Sequence, residues 1–272
     1  MCALIDKKKV TVIVPFYRVE ITPREAIALE QCFRILSGHD IIAIKPHWLA
    51  LPAAVLKYPF KDVVSFDDAF FKSVKSYSTL MLSEKFYKAF LDYEFMLIHQ
   101  LDAFVFEDRL DYWCSQPYDY IGAPWLRNGH DPGVVKSVWL QLSYFFHTRF
   151  SLHKKGEPTK YQYENKVGNG GFSLRRVAVF HRLCLQRDAE MERYINLDGH
   201  HFNEDRFWSV EVNRKKNRIK IPGYKKGVGF SFELVPEKAL RLNNGQLPFG
   251  CHAWNKYDNF WRPIFKSIGY EI

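Results

Sequence analysis

The sequence predicts an α/β fold with a mostly parallel β-sheet that is covered by helices on both faces. Two observations lead to this prediction. Apolar runs of strand length alternate with amphipathic helical segments over the first 125 residues, and these runs are continuous, as in strands buried on both faces. Because 47% of the 272 residues are hydrophobic, the chain can bury a large core, and we predict one domain over residues 1–272.

The first predicted β-α-β unit begins near residue 10. Residues 10–14 form a continuous apolar run, as expected of a buried parallel strand. Thr22 is predicted to cap the following helix, because Pro23 suits the first helical position and Glu25 can complete a capping box. Residues 41–44 are predicted to form the next strand.

Two more strands and a helix complete the first part of the chain. We predict strands at residues 63–66 and 95–99, with a helical segment over residues 77–91 between them. Ligands of open α/β sheets bind beyond the carboxyl ends of the strands. We therefore interpret residues 1–125 as a nucleotide-binding half.

The second part of the chain, residues 126–272, is predicted to be less regular. Residues 127–167 have no clear period apart from an amphipathic piece over residues 134–146, and we interpret them as a long lid or binding loop. From residue 168 onward, a strand, a helix and a final aromatic segment are expected.

The composition restricts the partners that the protein can have. A formal net charge of +9 favours anionic partners, and the lysine and arginine clusters leave contact with an anionic membrane surface open. No zinc-finger, helix-turn-helix or RNP pattern occurs, so we do not expect nucleic acid as a partner. No apolar run is long enough for a transmembrane segment, and five scattered cysteines indicate a reducing, cytoplasmic setting.

Asp102 and His252 are candidate metal ligands. Asp102 directly follows the predicted strand at residues 95–99, where a carboxylate can hold a divalent cation against a diphosphate. Capping of a turn is the structural alternative. His252 follows a glycine among aromatic residues, and a neutral imidazole can complete a metal shell, although a lone histidine is more often structural.

Two other segments could carry chemistry. Asn169-Gly170-Gly171 precedes a predicted strand, where glycines let the backbone approach a ligand, although a tight turn is an equal explanation. Glu204-Asp205 lies at the start of a predicted helix, where one carboxylate could take the proton of an acceptor hydroxyl. Stabilisation of the helix dipole is the structural alternative.

Six sequence blocks, in this order, resemble a bacterial glycosyltransferase family encoded with polysaccharide and lipopolysaccharide genes. They are VIVPFY (12–17), YSTLMLS (77–83), QLDAF (100–104), YDYIGAPW (118–125), NGGFSLR (169–175) and PFGCHAW (248–254). The resemblance covers nearly the whole chain. It implies a GT-A-like, Rossmann-type mostly parallel sheet with helices on both faces, plus a smaller acceptor-side region. It also implies a nucleotide-sugar-binding half (1–125) and an acceptor-side half (126–272).

The resemblance implies roles for residues on the donor side. In GT-A proteins a D-x-D motif after a strand binds Mn²⁺ or Mg²⁺ together with the donor diphosphate. Gln100 stands here in place of the first carboxylate, so metal dependence stays open, with Asp102 and His252 as the implied metal ligands. The implied donor-binding residues are Pro15, Phe16, Tyr17, Arg18, Tyr77, Ser78, Gln100 and Asp102.

Similarity to inverting galactosyl- and N-acetylglucosaminyltransferases implies Asp205 as the catalytic base, with Glu204 orienting the acceptor. The implied acceptor-binding residues are Trp125, Asn169, Gly170 and Gly171. The expected function is transfer of a sugar from a nucleotide-sugar donor, with UDP as the expected carrier, to a glycan or lipid-linked acceptor in bacterial surface polysaccharide synthesis. The expected location is the cytoplasm, with peripheral contact at the inner membrane left open, and a retaining mechanism is also open.

Two other functions remain as alternatives at this point. A sugar-phosphate nucleotidyltransferase would share the sheet and the nucleotide, although such enzymes carry a glycine-rich loop where this chain reads Pro-Phe-Tyr-Arg. A non-catalytic carbohydrate-binding protein on the same fold would explain the missing D-x-D carboxylate.

Overall fold

A computed structural model describes residues 8–129, 133–197 and 201–272. The strands are β1 (Lys8–Pro15), β2 (Asp40–Pro46), β3 (Asp62–Phe66), β4 (Tyr93–His99), β5 (Ala103–Val105), β6 (Tyr120–Gly122), β7 (His153–Lys154), β8 (Glu157–Pro158), β9 (Phe172–Arg176), β10 (Ser231–Phe232) and β11 (Gly250–His252). The α-helices are α1 (Pro23–Leu36), α2 (Val74–Met81), α3 (Glu84–Lys88), α4 (Leu110–Cys114), α5 (Val134–Arg149), α6 (Val177–Ile195), α7 (Glu204–Ser209), α8 (Tyr224–Phe230), α9 (Pro236–Leu242) and α10 (Asp258–Ser267). Short 3₁₀ turns occur at Ala53–Val55, Asp68–Phe71, Lys160–Gln162, Glu211–Asn213 and Trp254–Lys256.

A six-stranded sheet with the order β3-β2-β1-β4-β9-β6 forms the centre of the fold. Strands β1 to β4 are parallel to one another, whereas β9 runs antiparallel to both of its neighbours, β4 and β6. Along β1, Val12 and Val14 join the core on one face of the sheet, and Ile13 joins the core on the other. Both faces are buried, which explains the continuous apolar runs. The predicted fold class is confirmed.

The N-terminus of α1 forms as predicted. The Thr22 hydroxyl accepts a hydrogen bond from the Glu25 amide at 3.2 Å, and the Glu25 carboxylate accepts one from the Thr22 amide at 2.7 Å. This reciprocal capping satisfies two amides that a helix otherwise leaves without partners. The box also fixes the direction in which the chain enters α1 after the loop that follows β1.

The prediction of one helical segment over residues 77–91 is wrong. The chain forms α2 and α3, which are separated at Leu82 and Ser83. The Ser83 side chain accepts a hydrogen bond from the amide of Phe86 at 3.3 Å and so caps a new helix. The amphipathic piece predicted over residues 134–146 is confirmed as α5, which continues to Arg149.

A second, three-stranded sheet with the order β10-β11-β5 brings the C-terminal part of the chain to the end of β4. Gln100-Leu101-Asp102 connects β4 to β5, and Ala103 of β5 pairs with His252 of β11. This pairing places Asp102 beside His252, although 150 positions separate them in the chain.

Among the described helices, none combines the length and the apolar character that a membrane span requires. Four cysteines are buried free thiols, namely Cys32, Cys114, Cys184 and Cys251. Cys2 lies outside the described residues.

Candidate active site

A cleft of about 570 Å³ opens at the carboxyl ends of β1 and β4. Its walls come from the loop after β1, the segment that leads into α2 and the turn after β4. The lining residues are Pro15, Tyr17, Arg18, Glu25, Phe71, Lys72, Ser73, Val74, Tyr77, Gln100, Leu101, Asp102 and Asn255. Six of the eight residues predicted to bind the donor therefore line one cleft.

The structure does not bring Phe16 and Ser78, the other two predicted donor residues, to this cleft. Phe16 directly follows β1, its amide donates to the Ile44 carbonyl of β2 at 2.7 Å, and its side chain packs in the core against Phe60 with a ring-centroid distance of 5.8 Å. Ser78 is buried on the inner side of α2. Both residues are therefore buried directly behind chain neighbours that line the cleft, namely Tyr17 and Tyr77.

The cleft carries side chains suited to an anionic ligand with an aromatic base. The Tyr17 ring is half exposed, and the Arg18 guanidinium lies 5.2 Å from its centroid. Arg18 also forms an ion pair with Glu25, and exposed Lys72 adds a second cation to the wall. Burial raises the pKa of the Tyr77 hydroxyl, which therefore stays protonated and can donate a hydrogen bond.

Gln100, Asp102 and His252 meet at the edge of this cleft. Asp102 Oδ1 lies 3.1 Å and Gln100 Oε1 lies 3.3 Å from His252 Nε2. Both are hydrogen-bond distances, and they are also close to the separation of about 3 Å between neighbouring ligands of an octahedral ion with bonds of about 2.1 Å, so a divalent cation could replace the Nε2 proton. Within the described residues no group of three His, Cys, Asp or Glu side chains could hold a metal, and this set reaches three ligands only through the amide of Gln100.

Gly171 makes room for this group. A Cβ atom at Gly171 would collide with both His252 Nε2 and Gln100 Oε1. The glycine that the sequence singled out as a place of close backbone approach therefore lies directly against the candidate metal ligands.

His252 is held between two carboxylates. Its Nε2 faces Asp102, and its Nδ1 lies 3.4 Å from Glu233 Oε1. Burial on its own would lower the pKa of His252, but Asp102 and Glu233 raise it to about 10. The raised pKa favours a proton on Nε2, which faces Asp102, whereas Nδ1 also lies 3.0 Å from the Asn169 amide nitrogen, so a bound cation must displace the proton from Nε2.

Glu233 is a site residue that sequence reasoning missed. Its Oε1 accepts a hydrogen bond from Asn169 Nδ2 at 2.8 Å, and its Oε2 is buried without a hydrogen-bond partner among the described residues. The Asn169 side chain is fixed in turn, because its Oδ1 accepts from the amides of Gly171 and Phe172. Asn169, which was predicted to bind the acceptor, therefore positions Glu233 behind the His252 ring.

The acidic pair lies at the start of α7, as predicted. Glu204 is buried and accepts a hydrogen bond from Arg175 Nη2 at 3.2 Å, and Arg175 also donates to the Tyr87 hydroxyl at 2.9 Å. A Cβ atom at Gly170 would collide with Glu204 Oε1. Glu204 is thus held by a buried cation, and burial nevertheless raises its pKa against the effect of Arg175; its role in orienting the acceptor stays a prediction.

The Asp205 carboxyl has a raised pKa. Burial and the neighbouring Glu204 carboxylate raise its pKa to about 7, and Glu233 adds to the shift. The side chain is only partly buried, and its Oδ1 accepts a hydrogen bond from the amide of Arg206 at 2.7 Å. A carboxylate with a pKa near neutrality can both accept and release a proton during turnover.

Trp125 adjoins the same part of the molecule. Its ring packs so closely on Gly168 that a Cβ atom there would collide with it. The Arg206 guanidinium, next to Asp205 in the chain, lies 5.9 Å from the Trp125 ring centroid. Trp125 and Gly170 are therefore on the α7 side of the site, whereas Asn169 and Gly171 adjoin His252.

A sequence model of the family described as "Protein of unknown function (DUF5672)" matches residues 61–252, which is well over half of the chain. The chain belongs to this family. The matched segment includes Asp102, Asn169, Asp205, Glu233 and His252, which are the residues brought together in the site. A comparison with curated protein sequences finds no match.

The fold resembles several solved structures at low sequence identity. A complex of the galactosyltransferase LgtC with donor and acceptor sugar analogues has a TM-score of 0.51 and 12% identity, over 89% of this chain and 86% of that chain. Mouse xyloside xylosyltransferase 1 has a TM-score of 0.47 and 12% identity, over 90% and 97%. A 4-diphosphocytidyl-2C-methyl-D-erythritol synthase from Anaerococcus prevotii has a TM-score of 0.43 and 13% identity, over 88% and 96%. At these identities the likeness concerns the fold, which is that of the GT-A glycosyltransferases.

Proposed function

We propose that this protein is a glycosyltransferase that moves a sugar from a nucleotide-sugar donor, with UDP as the expected carrier, to a hydroxyl group of a glycan or lipid-linked acceptor. The observation that carries the proposal is the meeting of Gln100, Asp102 and His252 beside a cleft with two cationic side chains. Oxygen and imidazole groups can hold a divalent cation, and that cation and the nearby cationic side chains can together bind the phosphates of a nucleoside diphosphate. The GT-A fold is consistent with this reaction class.

In this proposal the donor lies in the cleft at the ends of β1 and β4. Tyr17 offers an exposed ring against which a base can stack, and Arg18 and Lys72 balance the charge of the diphosphate. Tyr77 donates a hydrogen bond from its protonated hydroxyl. These contacts bind the part of the donor that does not react, so they position the sugar for attack.

The leaving group departs next to Asp102. Gln100, Asp102 and His252 would hold Mn²⁺ or Mg²⁺, and such an ion supplies positive charge that stabilises the departing diphosphate. The Arg18 guanidinium, in the wall of the cleft, also stabilises the negative charge of the departing diphosphate. His252 must release the Nε2 proton to bind a cation, and on the other side of the ring Glu233 and Asn169, which are hydrogen-bonded to each other, lie 3.4 Å and 3.0 Å from Nδ1 and fix its orientation.

The acceptor reacts on the α7 side. The Asp205 carboxylate removes the proton from an acceptor hydroxyl, and that oxygen forms a bond to the anomeric carbon of the donor sugar. The bond from this carbon to the diphosphate oxygen breaks, and its electron pair leaves with the diphosphate. Attack from the face opposite the leaving group inverts the anomeric configuration.

The resemblance to families of polysaccharide and lipopolysaccharide loci supports bacterial surface polysaccharide synthesis in the cytoplasm as the setting.

The proposal is tested by incubating the full chain with UDP-sugars, with and without Mn²⁺, and measuring the release of UDP. We expect slow hydrolysis that is lost in Asp102→Asn and His252→Gln and kept in Asp188→Asn, which alters an exposed carboxylate on α6. Binding of UDP-sugars without any release in the presence of acceptor glycans would instead indicate a non-catalytic binding protein. Release of pyrophosphate from a nucleoside triphosphate and a sugar phosphate would indicate a nucleotidyltransferase, and a product with retained configuration by NMR would rule out Asp205 as the inverting base.

A further inference from the structure

Helix α5 exposes a continuous apolar face to solvent. Six side chains on this face are 45–74% exposed, and their spacing of three, four and seven residues confines them to an arc of about 120° around the helix axis. They are Val135, Val138, Trp139, Leu142, Phe145 and Phe146. We call this set the α5 face. A contiguous row of aromatic and aliphatic side chains on one exposed helix face indicates an interaction surface.

The opposite side of α5 is attached to the rest of the protein. The Tyr144 ring lies against that of Tyr161, tilted by 44° with a centroid distance of 6.1 Å, and its hydroxyl donates a hydrogen bond to Glu164 at 3.2 Å. His147 Nδ1 lies 2.7 Å from the Thr159 hydroxyl. These contacts fix the rotation of the helix about its own axis. The α5 face therefore points outward because the other face is already packed.

Basic side chains surround the C-terminal end of the α5 face. Arg149 lies on the same arc, and exposed Lys154 and Lys155 follow in the β7–β8 hairpin. Exposed Lys215 and Lys216 line the same hollow as Phe145 and Arg149. Glu157 is the acidic residue of the hairpin, so the cluster remains strongly positive. The surface thus combines apolar insertion with positive charge.

We propose that the α5 face docks on an anionic lipid bilayer, with the helix lying in the plane of the interface. Tryptophan and phenylalanine favour this zone, and lysine and arginine at its border attract acidic headgroups. Insertion of the six side chains removes from water the apolar area that the fold leaves uncovered. The charge of the surrounding residues selects acidic over neutral lipid.

A second copy of this chain is a poorer occupant for the same surface. A 16-residue helix is about 24 Å long and about 10 Å wide, so its face covers an area well below the roughly 800 Å² per partner of a stable interface. The bilayer satisfies both the apolar and the charged parts of the surface.

The position of α5 in the chain connects this surface to the site. The helix belongs to the excursion between Trp125 and Gly168, two residues that pack against each other on the α7 side. Docking through α5 would hold that side near the lipid headgroups. If the proposed function holds, this arrangement favours a lipid-linked acceptor over a soluble one, and this last step alone rests on that function.

The test is flotation of the full chain with vesicles of phosphatidylcholine alone or of phosphatidylcholine and phosphatidylglycerol in equal amounts. We expect binding to the anionic vesicles, weakened by salt, and a loss of about tenfold or more in the triple variant Trp139→Ser, Phe145→Ser and Phe146→Ser. The matched control is Trp48→Ser with Leu185→Ser, both 59% exposed and both away from α5. Circular dichroism checks that the variants are folded.

Three results would overturn the proposal. They are equal binding of parent and triple variant, absence of binding to anionic vesicles, and a dimer in sedimentation that the triple variant abolishes without any vesicle binding. Binding of UDP-sugars in solution is measured on the same variants. It should be unchanged in the triple variant, so a failure of membrane docking and a failure of the proposed function are distinguishable.

Discussion

Replacement of Asp205 by asparagine is expected to stabilise the protein above neutral pH while removing its proposed activity. The Asp205 pKa is raised from 3.8 to about 7 by burial and by Glu204. Between these two values the folded protein keeps a proton that the unfolded chain has released. The free energy of unfolding of the parent therefore falls as the pH rises from about 4 to about 7 and is level above that range. The asparagine side chain does not ionise, so the variant lacks this pH dependence of the free energy of unfolding.

The size of the stability difference between the parent and Asp205→Asn follows from the pKa shift of Asp205. A difference of roughly three pH units at about 1.4 kcal/mol each gives an upper limit of about 4 kcal/mol. Because Asp205 is partly open to water, we expect about 1–2 kcal/mol of extra stability for Asp205→Asn at pH 8 and little difference at pH 4. The asparagine can still accept the hydrogen bond from the Arg206 amide, so the local geometry is kept.

Urea unfolding of parent and Asp205→Asn at pH 4, 6 and 8 measures this difference directly, with Asp188→Asn on the surface of α6 as the control. The reasoning is refuted if the two proteins differ by the same amount at every pH, or if Asp205→Asn is the less stable protein at pH 8. UDP release in the presence of an acceptor tests the functional part. We expect the parent rate to rise with pH up to about 7 and the variant rate to be at least about a hundredfold lower.

Three further predictions concern the residues around the candidate metal ligands and the acidic pair. Gly171→Ala should keep the fold but abolish the effect of Mn²⁺ on the binding of UDP-sugars in a thermal-shift assay, because its Cβ collides with His252. Glu233→Gln should lower the pKa of His252 below its value of about 10, as read from the NMR titration of the imidazole. Arg175→Met should reduce the free energy of unfolding by about 3–5 kcal/mol, because it leaves Glu204 buried without its cation, and chemical denaturation measures the loss.

Each of these has a control within the chain. Gly38→Ala adds a Cβ with no atom within 4 Å and should behave like the parent in the thermal-shift assay. His181 pairs with Glu84 outside the site, so the imidazole NMR signals of His181 are the internal control for Glu233→Gln. Adding Glu204→Gln to Arg175→Met should restore part of the lost stability, and an unchanged loss would show that Glu204 is not the reason.

The sequence by itself determined the features that depend on neighbours in the chain. The apolar run at residues 10–14, the capping box of Thr22 and Glu25 and the carboxylate of Asp102 after a buried strand were all predicted, and the structure has them. Periodicity, capping and strand ends are local properties, so a single sequence contains them. The division into two halves and the cytoplasmic location stay predictions.

Only the tertiary structure decided which distant groups meet. Glu233 follows a two-residue strand and has no motif of its own, and it reaches His252 through the pairing of β10 with β11. Phe16 and Ser78 are adjacent in sequence to residues that line the cleft, but Phe16 packs in the core after the end of β1 and Ser78 lies on the buried side of α2. The outward direction of the α5 face depends on what packs behind the helix. Strand pairing and packing join residues that are 19 positions apart, as in Glu233 and His252, or 150 positions apart, as in Asp102 and His252, and no local pattern specifies such contacts.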